Sequence, residues 1–296
     1  MGMIQVNQTA NGRPVELYYQ DMGSGHPVIL IHGWPLTHAM WEYQFMPLTH
    51  NGYRVISYDR RGFGMSDQPA EGYDYNTLAD DLKGLIDGLE LDNVTLVGFS
   101  MGGGEVARFL TKQGKDRVSA AVLISSIVPY MLQTDDNPNG VPQAIFDQMT
   151  DGMKKDRAGF MTSFAKDFFG QGFIDRPVSQ GVLDDFWRQA MMAGQRPTLG
   201  AAKAFASTDF RPDLKSFAVP TLVIHGTADK TVPIDATGRV VADQVPGAKL
   251  IEYDGSAHGL FATDKERLIE DVCAFLEANL GTASDRRSAI PMPQEA

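Results

Sequence analysis

Short, largely apolar and β-branched runs recur along the chain, each followed by a loop rich in glycine and polar residues. They are Pro27-Val28-Ile29-Leu30-Ile31, Arg54-Val55-Ile56-Ser57-Tyr58, Val94-Thr95-Leu96-Val97, Ala120-Ala121-Val122-Leu123-Ile124, Thr221-Leu222-Val223-Ile224-His225-Gly226 and Ala248-Lys249-Leu250-Ile251-Glu252-Tyr253. Runs of this kind predict strands covered on both faces. Helical stretches fall between them at 41–51, 77–89 and 103–113. Strand and helix in alternation predict a parallel sheet with right-handed crossovers. Gln5-Val6-Asn7, a turn at Asn11-Gly12 and Val15-Glu16-Leu17-Tyr18-Tyr19 predict an opening hairpin. The α/β fold expected is therefore a mostly parallel eight-stranded sheet with helices on both faces. The alternation stops after Ser126. From about 129 to 208 no strand pattern appears, and methionine and phenylalanine are frequent. That segment is expected to form a helical cap over the C-terminal edge of the sheet. The expected layout is a core of 1–128 and 209–280, a cap of 129–208, and a polar, proline-bearing tail, 281–296, expected to be disordered.

Composition narrows the function. The 296 residues carry a formal net charge of −11 and contain no basic run. Nucleic acid and anionic membrane surfaces are thereby excluded as expected partners. The single cysteine, Cys273, lies in an amphipathic helix pattern and is expected to be buried, with no disulfide framework. No basic stretch leads into an apolar core at the start of the sequence, and no run is long enough to span a bilayer. A cytoplasmic protein is expected. There is no H-E-x-x-H and no cysteine pair, so neither a metal nor another cofactor is expected.

The candidate chemistry centres on Gly98-Phe99-Ser100-Met101-Gly102, between a predicted strand and a predicted helix. A serine between two glycines at such a turn fits a nucleophile elbow. Side chains at either glycine would collide with neighbouring backbone. The serine is left exposed at a helix N-terminus, where free N–H groups point outward. A serine nucleophile needs a base, and the base an orienting acid. His258 stands on the loop Asp254-Gly255-Ser256-Ala257-His258-Gly259, and Asp229 follows the strand ending at Gly226. Ser100, Asp229 and His258 follow the chain order used on this type of sheet. Two backbone donors must then meet the developing oxyanion. Met101 follows the nucleophile, and the loop His32-Gly33-Trp34-Pro35 offers the Trp34 N–H, since Pro35 has none.

Other groups compete for these roles. His225 lies inside a strand end and reads as a packed structural histidine. His26, His38 and His50 read as surface or loop residues. Asp59, followed by Arg60-Arg61, reads as half of a structural ion pair, and Asp254 as a turn former. The strand after the elbow helix ends in Ser125-Ser126 and offers no carboxylate. In the cap, Phe160, Phe164 and Phe168 recur at helical spacing, with Phe169 beside them. They either pack the cap onto the core or wall an acyl pocket. In the pocket reading, Phe164 and Phe168 join Trp34 and Phe99, and Met131 and Met149 keep the space adaptable.

The longer strings are more specific. His32-Gly33-Trp34-Pro35-Leu36, Asp59-Arg60-Arg61-Gly62-Phe63-Gly64, Ser66-Asp67-Gln68-Pro69, Gly98-Phe99-Ser100-Met101-Gly102-Gly103-Gly104-Glu105-Val106-Ala107-Arg108 and Thr208-Asp209-Phe210-Arg211-Pro212-Asp213 stand in this chain. With them it resembles the α/β-hydrolase superfamily, and within it the cofactor-free bacterial haloperoxidases and aryl esterases. The resemblance spans about 4–279. It implies a Ser-His-Asp esterase for short acyl or aryl esters or lactones. It also implies that hydrogen peroxide can replace water as acyl acceptor, that the released peracid oxidises halide off the enzyme, and that the chain forms a homo-oligomer. The resemblance ties the proline of the oxyanion loop, Pro35, to this use of peroxide. Thr227-Ala228 departs from a glycine-containing turn before the acid. Met131 and Met149 stand where relatives carry bulkier aromatics. Two other functions fit the same pattern: hydrolysis of a strained lactam or another bond, and a ligand-binding module without turnover. Ser100 argues against the epoxide and haloalkane chemistry of this fold, which uses an aspartate at the elbow.

Overall fold

The computed structural model describes residues 1–114, 116–172 and 175–280. The tail expected to be disordered, 281–296, lies outside the described residues. Eight strands form one sheet in the order β1-β2-β4-β3-β5-β6-β7-β8. They are β1 (Gly2–Gln8), β2 (Pro14–Met22), β3 (Pro27–Ile31), β4 (Arg54–Tyr58), β5 (Val94–Phe99), β6 (Val118–Ile124), β7 (Thr221–Gly226) and β8 (Lys249–Tyr253). The hairpin β1–β2 is antiparallel, and β2 runs antiparallel to β4. Every other pairing is parallel, with β3 between β4 and β5. The reason lies in the side chains. Val28, Ile29, Leu96, Val122 and Val223 are buried on both faces of the sheet, and only helices packed above and below can bury such strands.

The core helices are α1 (Glu42–His50), α2 (Tyr75–Gly88) and α3 (Met101–Gln113). The helix α2 begins two residues before the expected start. Asp74 caps it, its carboxylate accepting the Thr77 N–H at 3.1 Å. Between β6 and β7 lie the helices α4 (Gln143–Phe168), α5 (Gln180–Met192) and α6 (Gln195–Ser207). Two isolated bridges, Leu132–Val141 and Thr134–Asn137, precede them, inside a segment expected to lack strand structure. Near the end come α7 (Gly238–Gln244), α8 (Leu260–Thr263) and α9 (Lys265–Leu280). Cys273 of α9 is half-buried rather than buried, because it sits on the flank of the stripe formed by Leu268, Val272 and Leu276. Among the described residues no helix is long and apolar enough to cross a membrane.

The chain leaves β3 for β4 on one side and crosses back to β5 on the other. The loops after β3 and β5 therefore diverge, and open α/β sheets gather ligands at such a point. The His32–Pro35 loop and Ser100 stand on its two sides.

The packing of α2 on β1 depends on Gly84. A methyl group at Gly84 would overlap the backbone of Val6, with Val6 Cα at 2.7 Å, beside the register shift between Gln5 and Asn7. Alanine in a helix interior is normally better than glycine by about 1 kcal/mol. Here the sign is reversed. Gly84→Ala is expected to lower stability by about 1–3 kcal/mol through overpacking, read as a lower urea midpoint. A midpoint equal to or above that of the parent chain would refute this account of the contact.

Candidate active site

Ser100 follows β5 directly and precedes α3. Its backbone has φ +52° and ψ −116°, a region that non-glycine residues rarely enter. The neighbours hold it there. A Cβ on Gly98 would lie 2.6 Å from the Gly102 carbonyl oxygen, and one on Gly102 would lie 2.5 Å from that of Ile31. The turn closes because both residues lack a side chain. The Ser100 N–H donates to Ile124 at 2.9 Å, tying the elbow to the end of β6.

The Ser100 Oγ lies 3.0 Å from His258 Nε2, and His258 Nδ1 lies 2.6 Å from Asp229 Oδ2. Asp229 stands after β7 and His258 between β8 and α8, as the chain order requires. The other oxygen, Asp229 Oδ1, accepts the Thr231 and Val232 N–H groups at 2.9 and 2.8 Å. His225 Nε2 donates to the Val232 carbonyl at 3.0 Å and lies 3.4 Å from Asp229 Oδ2. Burial alone would push the Asp229 carboxyl up. The facing His258, with His225 beside it, outweighs burial and holds Asp229 below the ordinary carboxylate range. An ionised Asp229 accepts the Nδ1–H of His258, which keeps the ring proton on Nδ1 and leaves Nε2 bare toward the serine.

Side chains of α4 and α6 complete the site. A cavity of about 440 Å³ opens over Ser100 and His258. Trp34, Met131, Met149 and Phe164 line it. Phe99 and Phe168 do not. Both are fully buried behind the His258 ring, with ring centroids 5.0 and 4.7 Å from it. Phe99 alternates away from the cavity along β5, and Phe168 ends α4 beneath its surface. Their place on the wall is taken by Phe146, Phe160 and Phe205. Phe160 belonged to the visible helical stripe. Phe146 and Phe205 had no signal beyond ordinary apolar spacing on α4 and α6. A larger cleft of about 810 Å³, between α5 and the 36–43 segment, contains none of the three hydrogen-bonded residues.

Trp34 joins the two layers. Its indole N–H donates to the Thr198 carbonyl of α6 at 3.0 Å, and its ring meets Phe164 and Phe205 edge-on, each at 5.5 Å. Its peptide bond to Pro35 is cis. Met101 opens α3, and its carbonyl accepts the Tyr75 hydroxyl at 3.1 Å. The competing groups lie elsewhere. Asp59 pairs with His38, not with the adjacent arginines, through a 2.7 Å bond to Nδ1. His38, expected at the surface or in a loop, is mostly buried and begins the short 3-10 turn His38–Trp41. Arg60 and Arg61 pair instead with Glu105 and Asp81. Asp254 accepts the Thr227 hydroxyl at 3.2 Å on the exposed side of its loop. Among the described residues no cluster of three or more histidine, cysteine or acidic side chains could hold a metal ion.

Residues 26–265 match the alpha/beta hydrolase fold family. A non-heme chloroperoxidase of Kitasatospora aureofaciens is 45% identical over 264 residues, 88% of this chain and 96% of the relative. A bifunctional esterase/perhydrolase of Acinetobacter calcoaceticus is 38% identical over 267 residues, 89% of this chain and 97% of the relative. The crystal structure of a bromoperoxidase from Bacillus anthracis superposes with a TM-score of 0.89 at 44% identity, covering 93% of this chain and 99% of the other.

The Asp229 carboxyl carries a pH signature. Its value is lowered on folding, so its ionisation stabilises the fold. That contribution is complete above the unfolded value, about 4, and is lost as pH falls through the folded value. The stability gap between the parent chain and Asp229→Asn is therefore expected to be constant from pH 7 to 5 and to narrow toward pH 3, as read by urea unfolding. A gap that widens on acidification would contradict it.

Proposed function

The chain belongs to the α/β-hydrolase family, in its non-heme haloperoxidase branch, and from that membership we propose a serine esterase that works through an acyl-enzyme, with perhydrolysis as a second activity. The observation that carries the reading is the unbroken hydrogen-bonded chain Ser100–His258–Asp229 at the floor of an apolar cavity. Ser100 is the nucleophile, His258 the general base and then acid, and Asp229 the orienting carboxylate. The substrate is a small carboxylic ester or lactone. Its apolar part lies among Trp34, Phe164 and the two methionines.

The steps follow from the geometry. His258 Nε2 takes the Ser100 hydroxyl proton as Oγ bonds to the ester carbonyl carbon. The carbonyl oxygen becomes an oxyanion facing the N–H groups of Trp34 and Met101. Collapse of the tetrahedral intermediate breaks the bond to the alkoxy group, which leaves with the proton from His258. An acyl-Ser100 remains. Water then adds, gives its proton to His258, and releases the acid. Hydrogen peroxide adds in the same way and releases a peracid, because one of its oxygens replaces that of water. The apolar cavity favours this competition by limiting bulk water around the acyl group. Free peracid then oxidises halide in solution.

Three measurements test the reading. Ser100→Ala is expected to lower p-nitrophenyl acetate turnover by about 10⁴-fold or more and to abolish covalent labelling by a fluorophosphonate. Retention of more than a few per cent of activity would remove Ser100 from the nucleophile role. Asp229→Asn is expected to cost roughly a thousandfold or more, by leaving His258 in the wrong tautomer. Asp254→Asn should stay within about threefold, as a surface change. The reverse ranking would mean that another carboxylate orients His258. With acetate and hydrogen peroxide the chain is expected to form peracetic acid. An active esterase that yields none would overturn the perhydrolase half alone.

A further inference from the structure

The His32 imidazole is fully buried beside the proposed oxyanion loop and takes no part in the proton relay described above. Its hydrogen bonds assign its tautomer. The Arg60 backbone N–H points at His32 Nε2, 3.0 Å away. A backbone N–H only donates, so Nε2 is the bare nitrogen and Nδ1 carries the proton. Nδ1 then donates to the Gly33 carbonyl at 2.9 Å. The opposite tautomer would gain one contact, from Arg60 Nη1 at 3.2 Å. It would set two donors face to face at Nε2 and two lone pairs face to face at Nδ1. Burial, reinforced by the Arg60 charge, holds the ring well below its ordinary pKa and therefore neutral.

The Gly33 carbonyl has a second donor, the Leu36 N–H at 3.0 Å. Its direction is thus fixed from two sides. That carbonyl and the Trp34 N–H are opposite edges of one trans peptide plane, so fixing one aims the other. The plane lies against the nucleophile, since a Cβ on Gly33 would stand 3.1 Å from Ser100 Cβ. Arg60 Nη2 donates to the His32 carbonyl at 2.6 Å, while its Nε binds Glu105 of α3. Glu105 also accepts the Tyr58 hydroxyl at 2.7 Å. The loop is thereby tied to the helix that begins at Met101.

We propose that His32 is a positioning residue: its Nδ1–H holds the Gly33–Trp34 peptide in the orientation that presents the Trp34 N–H to the oxyanion. The proposal rests on the serine-esterase reading and deepens it. Three readouts test it on the full chain. In the unsubstituted protein, ¹⁵N spectra of the histidine rings should show His32 protonated on Nδ1 and bare on Nε2. In His32→Ala, kcat for p-nitrophenyl acetate should fall about a hundredfold, the cost of losing one oxyanion donor, with KM changed less than about threefold. The infrared carbonyl stretch of the acetyl-enzyme should move to higher wavenumber. His32→Asn places an amide N–H near the Nδ1 position and should restore at least about a tenth of the parent kcat together with the parent stretch.

The proposal is overturned by an Nε2-protonated His32 in the parent chain. It is equally overturned by a folded His32→Ala with an unchanged carbonyl stretch, or by equal impairment of the two variants. If neither variant folds, the tautomer of the parent chain decides. Mass analysis separates failures. A parent chain that never gains an acetyl group on Ser100 speaks against the esterase reading. A chain that acetylates normally, with the stretch unmoved in His32→Ala, speaks against His32 alone.

Discussion

The conformation of Ser100 is the constraint on which the rest of the site depends. A non-glycine residue at φ +52° persists only where its surroundings leave no alternative. Those surroundings are the packed turn of Gly98 and Gly102, the bond from the Ser100 N–H to Ile124, and the first turn of α3. Fixing the backbone there fixes Oγ at the divergence of the loops after β3 and β5. Asp229 and His258 reach it from loops at the ends of β7 and β8, the last two parallel strands of the sheet. The three residues are thus brought together by the order of the strands that carry their loops.

Burial does the remaining tuning. Asp229 is removed from water, which by itself disfavours its charge. Two N–H groups on one oxygen and an imidazole on the other reverse the balance. The carboxylate is thus held through both of its oxygens. Arg60 and Glu105 follow the same logic nearby. Two opposite charges are buried together, with Arg60 also donating to the His32 carbonyl and Glu105 accepting the Tyr58 hydroxyl, because a single buried charge would be prohibitive.

Most of this was legible in the sequence wherever a residue's role follows from its chain neighbours. The strands show as apolar runs, the elbow as Gly98-Phe99-Ser100-Met101-Gly102, and Asp229 and His258 as polar residues just beyond strand ends. The cavity wall was legible only in part. Phe164 and Phe168 share a helical stripe, yet only Phe164 faces the cavity, because α4 turns its last residue under His258. Phe146 and Phe205 come from helices whose relative placement no local pattern records. The partners of Arg60 and Arg61 were hidden for a similar reason. Asp59 is adjacent in sequence, but its carboxylate is occupied by His38, and the arginines reach Glu105 and Asp81 on other elements.

One bond described above sets a mechanical rule for the whole enzyme. The Trp34 indole is fastened to Thr198 of α6, while the Trp34 main chain belongs to the loop proposed to meet the oxyanion. Helix and loop are therefore joined through one residue. On the proposed mechanism, a guest bulky enough to lever these helices upward pulls on the very loop that must stay still while charge develops. Such a guest can enter and still react slowly. The upper limit on size is then enforced during the reaction itself, as an interlock between the door and the engine, and not only at the threshold.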